Sequence, residues 1–358
     1  PGENTIKPYV ISGYPNEDIT WEIAEQVNFG LEATFFNGLF ETTVDIYQQI
    51  RHNVLDKRTV VPEAMGLGIQ PLDNIGKVKS QGLDFSGKIQ HAFSPDLWVI
   101  LNGTLTYNKA VFEEIEEAAD KPYYQWRKGH DISQAVGYIA EGLFRDEQEI
   151  ANSPVQGGDL MPGDIRYRDV NDDGVVDVED AVHIGFPTTP RLIYGFNGFV
   201  NYKGLEFSFA FQGSGQRGFF INPAAMSPFA NNHALLTAIY KDHWSTDNMS
   251  ERPLWPRLST KNIIEHNPQE DASSDKETRM STYFLRECRF LRCTSLELAY
   301  NLPKQWSRKL ALKNLKVFVR ANNPFIISNF DLWDVELGNN GFNYPIQKTY
   351  SVGLNVNF

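Results

Sequence analysis

The last eleven residues alternate strictly between apolar and polar side chains, and this pattern restricts the possible folds more than any other feature. The apolar face of this segment carries Tyr350, Val352, Leu354, Val356 and Phe358, and its polar face carries Thr349, Ser351, Gly353, Asn355 and Asn357. Similar alternation begins at Leu97, Leu205 and Leu315. Each segment has about the length, roughly 9 to 11 residues, that a tilted strand needs to cross a bilayer. The pattern predicts an all-β, antiparallel transmembrane β-barrel.

The composition agrees with this prediction and excludes other classes. The 358 residues have a mean hydropathy of −0.38 and contain no apolar run of about 18 residues, so a transmembrane helix is not expected. Barrel strands still fit, because alternating residues average to a polar composition. The net charge of −12 argues against a nucleic-acid partner, which would require clustered Lys and Arg.

Nine spanning strands can be placed along the chain. We predict them at Trp21–Phe36, Leu39–Ile50, Lys77–Phe93, Leu97–Ala110, Pro190–Tyr202, Leu205–Gly213, Thr282–Asn301, Asn314–Asn323 and Lys348–Phe358. Short connections alternate with long ones, and the long ones cover residues 51–76, 111–189, 214–281 and 324–347. Outer-membrane barrels have this arrangement, with short periplasmic turns and long extracellular loops.

Strand parity indicates that the chain is part of a larger barrel. Bacterial single-chain barrels have an even number of strands, so nine strands are expected to be the C-terminal portion of a longer protein. The same parity places the strand-like segment Ile132–Arg145 in an extracellular extension. Cys288 and Cys293 lie five residues apart in one predicted strand, about 16 Å at ~3.3 Å per residue, which is too far for a disulfide.

One segment has the spacing of a calcium-binding loop. In the stretch 169–180, oxygen-bearing side chains occupy positions 1, 3, 5, 9 and 12 of a twelve-residue loop, and Gly174 occupies position 6. The predicted ligands are Asp169, Asn171, Asp173, the carbonyl of Val175, Asp177 and Asp180. The flanking residues form no amphipathic helix pair, so a structural ion is predicted, with an acidic turn without an ion as the alternative. The loop resembles the dockerin variant, which also has Asp at position 12.

Four stretches resemble the SusC/RagA family of TonB-dependent outer-membrane transporters of Bacteroidetes. They are residues 15–55 (PNEDITWEIAEQVNFGLEATFFNGLFETTVDIYQQIRHNVL), 162–216 (beginning PGDIRYRDVNDDGVVDVEDAVHIG at 162), 283–306 (YFLRECRFLRCTSLELAYNLPKQW) and 344–358 (YPIQKTYSVGLNVNF). The resemblance implies a 22-stranded barrel around an N-terminal plug. It also implies a SusD-like surface lipoprotein as a lid, energy supplied through TonB, and import of oligosaccharides or, in the RagA branch, peptides. The plug and the TonB box would lie outside these residues.

The resemblance also assigns roles to particular residues. The alternating C-terminal residues Tyr350, Val352, Leu354, Val356 and Phe358 resemble the signal read by the barrel-assembly machinery. Aromatic residues in the two longest loops are candidates for stacking on sugar rings, with packing as the alternative. These candidates are Tyr123, Tyr124, Trp126, Trp244 and Trp255. We expect calcium to order the loop 111–189, and we expect no catalysis by this chain.

Two other classes of protein compete with the transporter. A secreted, calcium-stabilised β-sandwich, either an adhesin or a carbohydrate-binding module, would bury the Leu97 and Leu205 faces against each other. A surface glycoside hydrolase would need two carboxylates about 5 to 9.5 Å apart across a cleft. The direction in which the apolar strand faces point therefore separates a sandwich from a barrel.

Overall fold

A computed structural model of the chain describes residues 14–60, 69–270, 280–309, 312–339 and 341–357. The described residues include a sheet of nine antiparallel strands, each beside its predecessor in the chain. We label them β1 (Ile23–Phe35), β2 (Phe40–Lys57), β3 (Leu72–Ser94), β4 (Leu97–Glu114), β5 (Leu192–Tyr202), β6 (Leu205–Gly215), β7 (Phe290–Asn301), β8 (Asn314–Ser328) and β9 (Thr349–Asn357). The predicted barrel sheet, with its number and order of strands, is confirmed.

Several strands continue beyond the predicted ends. β2 reaches Lys57, β3 starts at Leu72 and β4 reaches Glu114, so residues 111–114 belong to a strand and not to the loop predicted at 111–189. The added strand ends are stabilised by ion pairs between chain segments, including Lys77 with Glu113 at 3.3 Å. The prediction missed these ends because it followed apolar residues, whereas cross-strand ion pairs also stabilise a sheet.

The predicted strand Thr282–Asn301 is wrong at its beginning. The spanning strand β7 begins only at Phe290, and the separate short strand Leu285–Glu287 pairs with Gly218–Phe220. Cys288 therefore lies outside β7, whereas Cys293 lies within it, and both are buried free thiols. The segment Ile132–Arg145 lies outside the nine-stranded sheet, as predicted. Its strands Ala135–Tyr138 and Ala140–Leu143 belong to small separate sheets.

The paired strands from β4 to β9 align their apolar residues on one face. Val99 is opposite Val200, which is opposite Phe207, and Phe207 is opposite Leu298. The row continues through Val319 to Val352. Val99 and Val200 are partly exposed, and the other four side chains of the row are exposed, 41% for Phe207 and 77% for Val352. A β-sandwich would have buried this face against a second sheet, so the sandwich alternative is wrong.

The chain divides into two compact units. The first contains the described residues of 1–28, 47–81 and 109–132, and the second contains residues 29–46, 82–108 and the described residues of 133–358. In the second unit, residues from the long connections 133–191, 216–289 and 329–348 form a hydrophobic core that we call the loop core. Its fully buried side chains include Ile165, Ile221, Trp255, Ile263 and Phe284. The buried core is therefore built mainly from the connections between strands.

Short helices and strands lie in the connections between the nine strands. The helices of the described residues are α1 (Glu147–Asn152), α2 (Pro223–Met226), α3 (Thr237–Lys241), α4 (Ile263–His266) and α5 (Lys304–Lys309), and α5 lies in the connection between β7 and β8. Further short strands cover Val155–Gln156, Ile165–Tyr167, Val175–Val176, Val182–Ile184 and Met280–Ser281. Within the described ranges, no helix combines the length and the apolar composition that a membrane crossing requires.

Candidate functional site

The sheet face opposite the apolar row is polar and carries paired charges. Lys316 of β8 contacts Glu206 of β6 at 2.6 Å and Glu297 of β7 at 3.7 Å. Arg320 contacts Glu297 at 2.5 Å. Asn102 of β4 donates a hydrogen bond of 2.9 Å to Asn197 of β5. Because polar side chains of a membrane barrel line its lumen, this face is the candidate functional surface.

A cleft of about 600 Å³ lies on the same face, along the strands β1 to β4. Its polar lining includes Glu32, Glu41, Lys88, Asn102 and Thr104. Lys88 and Glu41 lie 3.5 Å apart, and hydroxyl and amide groups provide most of the other polar atoms. Such a surface offers a hydrophilic solute many hydrogen-bond partners without a strongly apolar trap.

The last long connection is attached to β7 by a buried cation. Arg292 is 4% exposed. Its Nη2 donates to both carboxylate oxygens of Asp334 at 2.6 and 2.7 Å, and its Nε contacts Glu336 at 2.5 Å. Asp334 also caps the short 3₁₀ helix Val335–Leu337 by accepting the amide hydrogen of Glu336. The segment 329–339 is therefore fixed to the polar side of β7. The sequence pattern does not predict this contact, because Arg292 lies 42 residues from Asp334 and 44 residues from Glu336.

The predicted calcium loop forms a compact turn with the expected residues close together. Asp169 Oδ2 accepts the amide hydrogen of Gly174 at 2.7 Å, and Asp173 Oδ1 accepts that of Val175 at 2.8 Å. Gly174 has a φ of +88°, which suits the sharp turn expected at position 6. Asp180 is fully buried, and its two carboxylate oxygens accept the amide hydrogens of Val170 and Asp177.

These hydrogen bonds direct the loop oxygens toward the loop's own amides. Among the described residues, no group of three or more His, Cys, Asp or Glu side chains is arranged to hold a metal ion. Asp180 closes the loop by accepting the amide hydrogens of Val170 and Asp177. Calcium binding at Asp169, Asn171, Asp173, Val175, Asp177 and Asp180 therefore stays a prediction.

Three predicted aromatic residues lie together in the first unit. Tyr123 is 80% exposed, and its ring meets the ring of Tyr124 edge-on at 5.8 Å. Trp126 is also exposed, and its indole N–H donates to the carbonyl of Lys121. Glu117 fixes the following backbone by accepting the amide hydrogens of Arg127 and Lys128. Tyr123 and Trp126 are therefore exposed side chains on a segment whose backbone is held in place.

The other two aromatic candidates pack in or against the loop core. Trp255 is 1% exposed and contacts the ring of Phe284 at 5.3 Å, so its assignment as a substrate-stacking residue is wrong. Trp244 is partly buried against the core and lies directly over Gly163, where a Cβ atom would come within 2.3 Å of the indole ring. Large apolar side chains fill the loop core, and residue type alone does not show whether a loop aromatic is buried in it or exposed.

Sequence reasoning also missed a buried carboxylate in the loop core. Glu270 is fully buried and accepts hydrogen bonds from the Tyr167 hydroxyl at 2.9 Å and from the Ser281 hydroxyl. Burial raises the pKa of Glu270 to about 7, although both hydroxyl groups act in the opposite direction. Burial and the Glu270 carboxylate together raise the pKa of Tyr167. Glu270 thus links the strand Ile165–Tyr167 to the strand Met280–Ser281.

This carboxylate predicts that the loop core becomes less stable as the pH rises. The unfolded chain ionises Glu270 near its ordinary pKa of 4.5, whereas the folded chain holds the proton until about 7. The stabilisation present below pH 4.5 is therefore lost as the pH rises toward 7, by about 3 kcal/mol. Hydrogen exchange at Ile165–Tyr167 should show weaker protection at pH 8 than at pH 5. Glu270→Gln should remove this dependence, and the exposed Glu265→Gln should keep it; an unchanged slope in Glu270→Gln would contradict the assignment.

The C-terminal strand carries four of the five residues of the predicted assembly signal, whose recognition stays a prediction. Tyr350, Val352 and Leu354 are exposed on the apolar side of β9, and Val356 is partly exposed in the same row. Phe358, the last member of the predicted signal, lies outside the described residues.

An antiparallel sheet with an exposed apolar face, a polar opposite face and folded long connections defines part of a membrane β-barrel. Residues 4–226 match the family described as TonB dependent receptor-like, beta-barrel, and this match covers more than half of the chain. The chain belongs to this family of TonB-dependent receptor barrels. The family places its strands in an outer membrane.

Relatives and solved structures agree with this assignment. The TonB-dependent receptor P26 of Formosa agariphila is 25% identical over 96% of the chain, and the TonB-dependent receptor SusC of Bacteroides thetaiotaomicron is 24% identical over 96%. The chain spans only 35% and 32% of these two proteins, about a third of each. The structure of the RagAB peptide transporter superposes with a TM-score of 0.69 at 19% identity, covering 98% of this chain and 38% of that one, and so shares the fold. These relatives are named as receptors and transporters, not as enzymes.

Proposed function

We propose that the chain is the C-terminal barrel portion of an importer that takes up oligosaccharides across the outer membrane. The observation that carries this proposal is the two-sided sheet, with an exposed apolar row that includes Phe207 and Val352 and an opposite face of hydrogen-bonding and charged residues. A lipid-facing exterior and a hydrophilic lumen require this division. The short turns would face the periplasm, and the long connections would face outward.

Two partners complete the proposed importer. A SusD-like lipoprotein would cover the long connections as a lid, and TonB would supply energy through a plug that precedes this chain. The fold shared with the RagAB transporter and the sequence similarity to SusC support these partners. The loop core adds a physical reason, since its rigid packing and the Arg292 attachment would give a lid a firm surface on which to close.

Oligosaccharides are the preferred cargo because of the polar groups and the exposed aromatics. Asn102, Asn197 and Thr104 offer neutral hydrogen-bond partners, and Tyr123 and Trp126 offer ring faces for stacking. Peptide is the second candidate. The solved neighbour described as a peptide transporter and the charges of both signs on the polar face, including Glu206 and Lys316, favour it.

Uptake by cells separates the two cargo classes. In a strain lacking the intact transporter gene, we expect loss of growth on a particular class of oligosaccharide and normal growth on peptides. The wild-type gene should restore growth, and a Tyr123→Ala/Trp126→Ala variant should take up the labelled oligosaccharide about tenfold more slowly. Tyr240→Ala, which removes another exposed aromatic residue, is the matched control and should leave uptake unchanged. Loss of peptide uptake with intact oligosaccharide uptake would identify a peptide importer.

We also propose that calcium orders the loop 169–180, on the strength of its residue spacing and the sharp turn at Gly174. Calcium should slow proteolysis within this loop of the intact transporter, and a chelator should reverse the effect. Asp173→Asn, which removes the negative charge of a predicted ligand, should weaken the response at least tenfold. Asp172→Asn makes the same charge change at a position without a predicted ligand role and should respond like the wild type. A wild-type loop that is cleaved equally with calcium and with chelator would exclude the proposal.

A further inference from the structure

We propose that the turn between β7 and β8 binds the headgroups of anionic phospholipids. The inference rests on the proposed orientation, which puts this turn at the periplasmic surface of the membrane. The sequence has no acidic residue between Glu297 and Asp331, although the whole chain has a net charge of −12. This turn is thus positively charged, although the chain as a whole is negatively charged and would repel anionic lipid.

The cations of this region whose side chains the structure describes fall into two groups. Lys316 and Arg320 lie on the polar sheet face and are neutralised by Glu206 and Glu297. In contrast, Lys304, Lys309 and Lys313 are exposed and make no ion pair with any residue in the described ranges. Three uncompensated ammonium groups on one short connection form a positively charged surface that fits phosphate groups.

The same turn carries an aromatic residue suited to the membrane interface. Trp306 lies on α5, between two of the lysines, and is 60% exposed. An exposed Trp is unfavourable in water but is enriched at the level of lipid headgroups, where the ring meets both apolar and polar surroundings. Exposed lysines beside an interfacial Trp are a common arrangement for contact with an anionic membrane surface.

The turn continues directly from the apolar sheet face. Leu298 and Tyr300 of β7 are exposed in the apolar row immediately before the turn. The turn between β5 and β6, at Lys203 and Gly204, lies next to this turn, since the amide of Asn301 donates to the carbonyl of Gly204. Lys203 is exposed and adds another cation. Lys203 also lies 5.4 Å from the centre of the Tyr202 ring. The basic turn therefore lies at the boundary of the lipid-facing surface, where headgroups would be found.

The test compares lipid retention by the intact transporter after reconstitution in vesicles of phosphatidylcholine with or without phosphatidylglycerol. Native mass spectrometry of the extracted protein should detect retained phosphatidylglycerol in preference to phosphatidylcholine, and 1 M NaCl should release it. Lys304→Gln/Lys309→Gln/Lys313→Gln should reduce retention at least fivefold, and the corresponding Lys→Arg triple variant should keep it. The control Lys57→Gln/Lys128→Gln/Lys241→Gln removes the same charge elsewhere and should behave like the wild type.

The outcomes distinguish this proposal from the proposed transport function. Equal retention of both lipids by the wild type, no effect of salt, or equal losses in the turn variant and the control would each overturn the lipid site. The salt measurement needs no variant and so remains decisive if the triple Gln protein fails to fold. Oligosaccharide uptake is measured separately: its failure alongside normal lipid retention would contradict the transport function and leave the lipid site intact.

Discussion

Val352→Lys is expected to prevent the barrel from assembling stably in the membrane. Val352 is exposed on the apolar face of β9, opposite Val319 of β8, and the account places both side chains against lipid. A lysine on the lipid face near the bilayer midplane costs about 2–4 kcal/mol. Because folded proteins are stable by only about 5–15 kcal/mol, the variant should fold in markedly lower yield.

Ser351→Lys is the matched control, since it adds the same charge one residue earlier on the opposite face of β9. It should fold nearly as well as the wild type because its side chain would enter the polar lumen. Phe207→Lys and Ser208→Lys form a second pair on β6 with the same expected contrast. The measurement is the folded fraction in vesicles, taken from heat-dependent gel mobility. Equal folding within each pair would contradict the lipid-facing assignment.

Arg292→Met is expected to release the segment 329–339 from β7. The substitution leaves the carboxylates of Asp334 and Glu336 without their cation in a largely buried position. Breaking a buried pair in this way costs about 3–5 kcal/mol, and the lower end applies here because Glu336 is partly exposed. Hydrogen exchange in the 3₁₀ helix Val335–Leu337 should accelerate by at least a hundredfold.

Two further variants show whether the loss of the Arg292 ion pairs causes the faster hydrogen exchange. Arg320→Met removes a cation whose side chain is half exposed, so the loss should be at most about 1 kcal/mol. Adding Asp334→Asn and Glu336→Gln to Arg292→Met removes the uncompensated carboxylates and should recover part of the stability. Unchanged exchange in Arg292→Met would show that apolar packing of Val335 and Phe330 alone holds the segment.

The sequence predicted the spanning strands well because lipid imposes a period-two pattern that is visible in each strand separately. β9 and β6 matched their predicted segments closely for this reason. The predicted strand ends were wrong where contacts with distant segments, and not the local alternation, determine the structure. In β7, Thr294 is an extra residue relative to β6, since Ala210 is opposite Ser295 and Phe211 is opposite Cys293, and the alternation changes phase there.

The site was less predictable because its contacts join distant parts of the chain. The partners of Arg292 lie in the next long connection, and the partner of Glu270, Tyr167, lies 103 residues away in the sequence. Trp255 and Tyr123 are both loop aromatics in the sequence, but the first is buried by the loop core and the second is exposed. Motif spacing did predict the compact turn at 169–180, since its hydrogen bonds are local.

The most direct test of the account is the lipid accessibility of β9. Single nitroxide labels at each position from 349 to 357 of the intact transporter in vesicles can be relaxed by oxygen, which concentrates in lipid, or by a water-soluble nickel complex. The account predicts that oxygen dominates at Tyr350, Val352, Leu354 and Val356 and that nickel dominates at the positions between them. Uniform accessibility along the strand, or the opposite alternation, would contradict it.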